Sequence, residues 1–202
     1  MIIVSFSHYL STTLINTLSP DKAEVWTTEH LNSLHPSLST LIGGVHLSFK
    51  ATAANLVPYT FSLHPQLSVS TSAATRHTME IIRELLGDFN FFLVNHNSIC
   101  LPAHPALITI ILQTIFQSHG GKLQSWVAFA HLDTIFALSG VAIYSILLEY
   151  QTGIHHPAEF GVEFHTKFNE CKQKLDDIRG DPVAREELSR LQSDLITRGK
   201  CM

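Results

Sequence analysis

Apolar residues recur at three- and four-residue intervals through most of the second half of the chain, the pattern of helices that bury one face. Phe160, Phe164, Phe168, Cys171, Leu175 and Ile178 keep that spacing in a segment opened by Pro157 and stopped at Gly180. Asp181-Pro182 then pairs an N-cap with a first-turn proline, and Leu188, Leu191 and Leu195 line one face of a final helix. Ser125 begins the longest predicted helix, which passes through Trp126, Phe129, Ile135, Leu138, Ala142, Tyr144, Leu147 and Tyr150 to Gly153. Apolar around most of its circumference, it is expected at the centre of the molecule. Pro105 opens a helix to about Gln117 that ends at Gly120-Gly121, and Arg76 to Leu86 forms another, with Thr75 as N-cap and Gly87 as stop.

The first part of the chain is patterned differently. Ser19-Pro20-Asp21 resembles a helix start that continues through Val25, Trp26 and Leu31 until Pro36. Beyond it, Gly43-Gly44, Pro58 and Pro65 punctuate short stretches, Val45 to Phe49 and Tyr59 to Leu63, that read as strands or as extended loop. The expected architecture is therefore all-α: an irregular helical bundle around the long central helix, spanning residues 75–202, preceded by a poorly defined Ser/Thr-rich segment over residues 1–74.

Charge sharpens this division. Between Leu31 and Thr75 the only Asp, Glu, Lys or Arg is Lys50, and Phe89 to Leu148 holds only Lys122 and Asp133. Seventeen such residues, nine acidic and eight basic, crowd into Glu159 to Met202, which marks that part as the solvated cover of an apolar middle. The 202 residues are 45% hydrophobic and 15% charged, which excludes a disordered chain. A net charge of -4 and the near one-for-one mixing of acids with Lys167, Lys172, Lys174, Arg179, Arg185 and Arg190 give no nucleic-acid stripe. Thirteen histidines equal Lys and Arg together, so the charge is soft near pH 6.

Cys100, Cys171 and Cys201 form an odd, widely spaced set without a C-x-x-C pair, which fits a reducing compartment. Met1 to Ser19 lacks the basic start of a signal peptide, and no N-x-S/T sequon occurs. The longest apolar run, Thr134 to Leu148, falls short of the roughly 20 residues that span a bilayer. An intracellular chain, in cytoplasm or nucleus and with no membrane span, is expected.

Candidate chemistry is sparse. His155-His156 precedes Glu159 and Glu163, which lie at i and i+4 on one helix face, and imidazole with carboxylate donors can hold Zn, Mn or Fe. The ordinary alternative is an exposed loop followed by a solvated first turn whose acids favour the helix dipole. No H-E-x-x-H or E-x-x-H is present to supply ligands from a helix face. His131 and Asp133 lie on different sides of the long helix, and each needs a hydrogen-bond partner there or an opening, as a base would. Glu149 ends the apolar run beside Tyr150 and is a catalytic candidate, with packing or a salt bridge as its plainer role. His104 reads as a turn residue before a first-turn proline. His119-Gly120-Gly121-Lys122 lacks the upstream glycine and the following Ser or Thr of a phosphate loop, and GxGxxG and GxSxG are missing, so no cofactor is expected.

Leu101-Pro102-Ala103-His104-Pro105, Ile115-Phe116, Phe136-Ala137-Leu138-Ser139-Gly140-Val141-Ala142-Ile143-Tyr144 and Leu148-Glu149-Tyr150-Gln151-Thr152-Gly153, with Glu159-Phe160 after them, stand in an order that resembles a family of basidiomycete fungal proteins sharing a helical domain of unknown function. The resemblance covers roughly residues 75–198 and implies an all-α domain with no assigned activity. Tyr150 stands where that family commonly has a tryptophan. Residues 1–74 do not visibly follow the family's helical first part, which suggests a divergent or truncated copy, or a reading frame running through non-coding sequence. With no catalytic signature, the expected function is a non-catalytic protein-interaction module in which Phe160, Phe164 and Phe168 meet a partner or a second copy. The alternative is an enzyme, or a small-molecule or metal-binding protein, that uses Glu149 with His131 or with His155-His156.

Overall fold

The computed structural model describes residues 43–63, 71–96, 99–117, 132–158 and 163–201. The chain divides into two compact units, residues 1–47 and 48–202, and of the first only the helical residues 43–47 are described. Among the described residues six helices form an all-α structure: α1 (43–60), α2 (Thr71–Leu86), α3 (Pro105–Ile111, continued by one π-helical stretch, Leu112–Gln117), α4 (Leu132–Glu149), α5 (Glu163–Gly180) and α6 (Pro182–Lys200). A short antiparallel hairpin joins α2 to α3, with β1 (Val94–His96) paired to β2 (Ile99–Leu101) in the register Val94 to Leu101.

α4 is the core. Only Asp133, Thr134, Tyr144 and Leu148 along its length are partly exposed, because α2, α3 and α5 pack around it. A helix that is apolar on all sides has to be surrounded in this way. By length and composition α4 would also suffice to cross a membrane, yet 78% of its most apolar window lies inside the protein. α5 approaches α4 closely at Gly140, where an added Cβ would meet the Phe92 ring at 2.8 Å and Cys171 Sγ at 3.1 Å. Burial at this contact pushes the Cys171 thiol up to about 12, so it is a core residue and not a nucleophile.

The helix ends follow local chemistry. Asp181 Oδ1 accepts from the N–H groups of Val183 (2.9 Å) and Ala184 (2.8 Å), with Pro182 in the first turn, as the sequence predicts. His104 does more than precede a proline. Its Nδ1 accepts from Ala106 N–H at 3.2 Å and caps α3, while its ring stacks on Phe61 at 4.6 Å. Burial lowers its pKa and so favours the neutral ring, whose Nε2–H tautomer leaves Nδ1 able to accept.

Two expectations are corrected. Val45 to Phe49 is helical, and Tyr59 closes α1 before the chain turns at Ser62 (φ 54), so neither stretch is a strand. Phe49, Ala53 and Val57 recur every four residues and are all buried, which is the spacing of a helix. Thr52 and Thr60 hydroxyls bond back to Ser48 and Leu56 carbonyls, so both are satisfied within the helix. Likewise α2 begins at Thr71 and not at Arg76: Thr75 lies inside it, and its hydroxyl donates to Thr71 O at 2.9 Å. The predicted helix start at Ser19-Pro20-Asp21, the stop at Gly120-Gly121 and the lead-in from Ser125 to His131 lie outside the described residues.

α6 closes the bundle over the end of α3. At Gly199 a Cβ would stand 2.5 Å from the ring of Phe116, itself buried. Gly199→Ala is expected to destabilise the fold by about 1–2 kcal/mol, as overpacking against this buried ring. Urea unfolding monitored by circular dichroism measures this, and an unchanged midpoint would mean that α6 does not seat on Phe116.

Candidate functional site

The best-connected polar group is Glu149, the last residue of α4. Its side chain is 5% exposed, and both oxygens are engaged. Lys50 Nζ, from α1, lies 2.8 Å from Oε1, and Ala158 N–H donates to the same oxygen at 3.2 Å. His155 Nε2 lies 3.0 Å from Oε2. Lys50 also donates to the Ala158 carbonyl, so one ammonium fastens the loop and the acid together.

A backbone reversal makes this possible. Gly153 adopts φ +78, and its N–H donates to Tyr150 O at 2.7 Å. The chain then doubles back, His156 N–H meets the Glu149 carbonyl at 2.7 Å, and His155 lands beside the carboxylate with its ring 4.8 Å from that of Tyr150. Glycine is required at this turn twice over: the left-handed φ disfavours a side chain, and a Cβ would lie 2.4 Å from Thr75 O of α2.

Burial pushes the Glu149 carboxyl up, but hydrogen bonds from Lys50, His155 and the Ala158 N–H, with the Lys50 charge, outweigh it and hold the group below its ordinary range. It is therefore an ionised anchor at neutral pH. Burial, with the Glu149 charge second, pushes the Tyr150 phenol up.

A second cluster joins three helices. Arg179 of α5 grips Asp133 of α4 with both guanidinium arms, one at 2.7 Å, and Gln192 of α6, 1% exposed, donates to the same carboxylate at 2.9 Å. The hydrogen bond to Asp133 is the main cause that raises the Arg179 pKa.

A third cluster is aromatic. The turn after α2 places Phe89 at φ +61, a conformation that costs a Cβ-bearing residue about 1–2 kcal/mol. Phe92 and Leu93 N–H groups, both 2.8 Å from Phe89 O, hold the turn. Lys167 Nζ stands 4.8 Å from the Phe89 centroid and 4.7 Å from that of Tyr144, and 2.6 Å from Glu170. The Tyr144 hydroxyl donates to Glu163 at 3.2 Å. Burial, then the Glu163 charge, raises its pKa.

Of the residues singled out in the sequence, Glu149 and His155 come together. His156 is exposed and contributes its backbone to the turn, while Glu163 is engaged by Tyr144. Among the described residues no three His, Cys, Asp or Glu side chains converge as a metal site would need. His131, Glu159 and Phe160 lie outside the described side chains. Phe168 is 6% exposed and belongs to the core, whereas Phe164 is half-buried. Sequence reasoning missed Lys50, Arg179, Gln192, Phe89 and Lys167 as site partners. Lys50 alone carried a signal, as the single charge in a long uncharged stretch.

No curated protein and no solved structure matches the chain. A family model, a domain of unknown function (DUF6532), matches residues 20–178. The match runs through the stretch from Leu31 to Thr75, so most of the segment expected to depart from the family is family sequence, and it ends at Ile178, before α6. Spanning well over half of the chain and every helix that surrounds Glu149, that match shows the protein to be a member of the DUF6532 family.

Proposed function

We propose that this chain is a non-catalytic protein-interaction module of a basidiomycete fungal family. The observation that carries the reading is the state of Glu149: the acid best placed for chemistry has both oxygens committed to Lys50, His155 and a backbone N–H. It works as a fastening between α1, α4 and the 153–158 loop. In the loop that it fastens, Ile154 is 54% exposed, an apolar side chain suited to a protein partner or a second copy, and Phe164 on α5 is half-buried. Cross-linking mass spectrometry on the native protein tests this. Links concentrated on residues 154–167, from one partner or from a second copy and lost in Ile154→Asp, support the reading; a circular-dichroism melt unchanged by that substitution excludes misfolding as the cause. Cross-links scattered over the surface overturn it.

One observation favours a second reading, an enzyme or small-molecule or metal-binding protein using Glu149 with a histidine. The buried carboxylate orients the imidazole of His155, which is 46% exposed, as acids orient a general base in hydrolytic triads. A thermal-shift screen of metals and metabolites distinguishes the two. Stabilisation by one ligand that disappears in His155→Ala supports chemistry at this pair, and no such ligand leaves the pair as a fastening.

A further inference from the structure

Two aromatic rings from separate elements, Phe89 in the turn after α2 and Tyr144 on α4, face one ammonium group in the third cluster, and buried Phe91 packs behind them. Phe91 stacks on Phe89 with centroids 5.6 Å apart and tilts against Tyr144 at 6.0 Å. Lys167 Nζ sits over the rings of Phe89 and Tyr144, and a second cation, Lys174, lies 5.7 Å from the Phe89 centroid. Two carboxylates stand at the rim, Glu170 on Lys167 and Glu163 on the Tyr144 hydroxyl. Ring faces carry negative quadrupole charge, so this grouping selects cations. Phe89 is held there against a left-handed backbone, and such strained residues are enriched at binding sites.

A primary ammonium is not the cation that uses such rings best. It is compact, strongly hydrated, and draws its shortest bond here from Glu170. A quaternary ammonium has no N–H to satisfy and rests its methyl groups on the ring faces, with the carboxylates balancing its charge. Lys167 reaches the rings from α5 on a flexible stem and is 19% exposed, so it can swing toward solvent. We propose that the faces of Phe89 and Tyr144, backed by buried Phe91, form a binding site for a quaternary ammonium cation, with Lys167 as an intramolecular plug. The proposal stands apart from the interaction reading above. A trimethylated lysine on a protein and a choline head group share the required chemistry.

The test titrates tetramethylammonium into the isotope-labelled full chain, followed by NMR of the aromatic side chains. Lys167→Ala is expected to bind about tenfold or more tightly than the wild type, with shifts confined to Phe89, Phe91 and Tyr144, and adding Phe89→Ala removes the gain. If Lys167→Ala fails to fold, Lys167→Gln keeps most of the stem and serves in its place. Choline and a peptide carrying trimethyl-lysine, each against its unmethylated counterpart, then identify the source. The proposal is overturned if the folded variant gives no shift at these rings, if it binds no better than wild type, if Phe89→Ala changes nothing, or if neither choline nor the methylated peptide binds.

Discussion

Glu149→Ala is expected to lower the unfolding free energy by about 3–5 kcal/mol, the cost of taking one partner out of a buried, hydrogen-bonded ion pair. The substitution takes from Lys50 its counterion and from the Ala158 N–H its acceptor, and frees His155 from the end of α4. Glu149→Gln keeps an acceptor at the same place while removing the charge, and is expected to cost less, about 1–2 kcal/mol. The same carboxylate gives the fold an acid-sensitive component. Its folded-state pKa lies below the ordinary value of about 4.3, so as pH falls the unfolded chain takes up this proton before the folded chain does. The stabilisation is complete above the ordinary value and is lost as pH drops from there through the depressed one. Chemical denaturation at pH 7 and at pH 3 reads both effects: the wild type loses more stability between the two than Glu149→Gln does. Equal losses would show that Glu149 is not the anchor described.

The helices were legible where one residue type had one reading. Asp181-Pro182 sets the start of α6 by local chemistry alone, and the apolar circumference of α4 required it to be surrounded. α1 was not legible, because Ser, Thr and Val favour extended backbone in isolation while the burial of Phe49, Ala53 and Val57 imposes a helix. Tertiary packing overrides propensity there. The turn at Phe89 and the hairpin after it were equally hidden, since a left-handed phenylalanine has no sequence signal.

The site was half legible for a similar reason. Glu149 stands out as an acid ending an apolar run, and Gly153 as the stop that follows it. Nothing local says that Gly153 turns the chain back so that His155 meets Glu149, because the requirement comes from the Thr75 carbonyl packed against the turn. Nor does spacing reveal Lys50, which lies far away in sequence on α1. The two adjacent histidines part, His155 to the carboxylate and His156 to a backbone hydrogen bond and solvent, a division that adjacency in sequence does not reveal.

Asp133 shows most directly how a half-buried carboxylate holds this bundle together, and Asp133→Ala is expected to cost about 2–4 kcal/mol. Two terms enter. Gln192, 1% exposed, loses the acceptor for its amide, and an unsatisfied buried donor costs about 1–3 kcal/mol. The Arg179 pair adds less than its bidentate geometry suggests, since that guanidinium is 36% exposed and water screens and replaces part of the interaction, leaving about 1 kcal/mol. The two terms predict different rescues. Adding Gln192→Leu to Asp133→Ala removes the orphaned amide and recovers most of the loss, whereas adding Arg179→Met recovers little. Urea unfolding of the three variants decides between them. Recovery by Arg179→Met instead would mean that the charge pair between α5 and α4, and not the buried amide of α6, carries the loss, and that the cost of Asp133→Ala will fall as salt is raised.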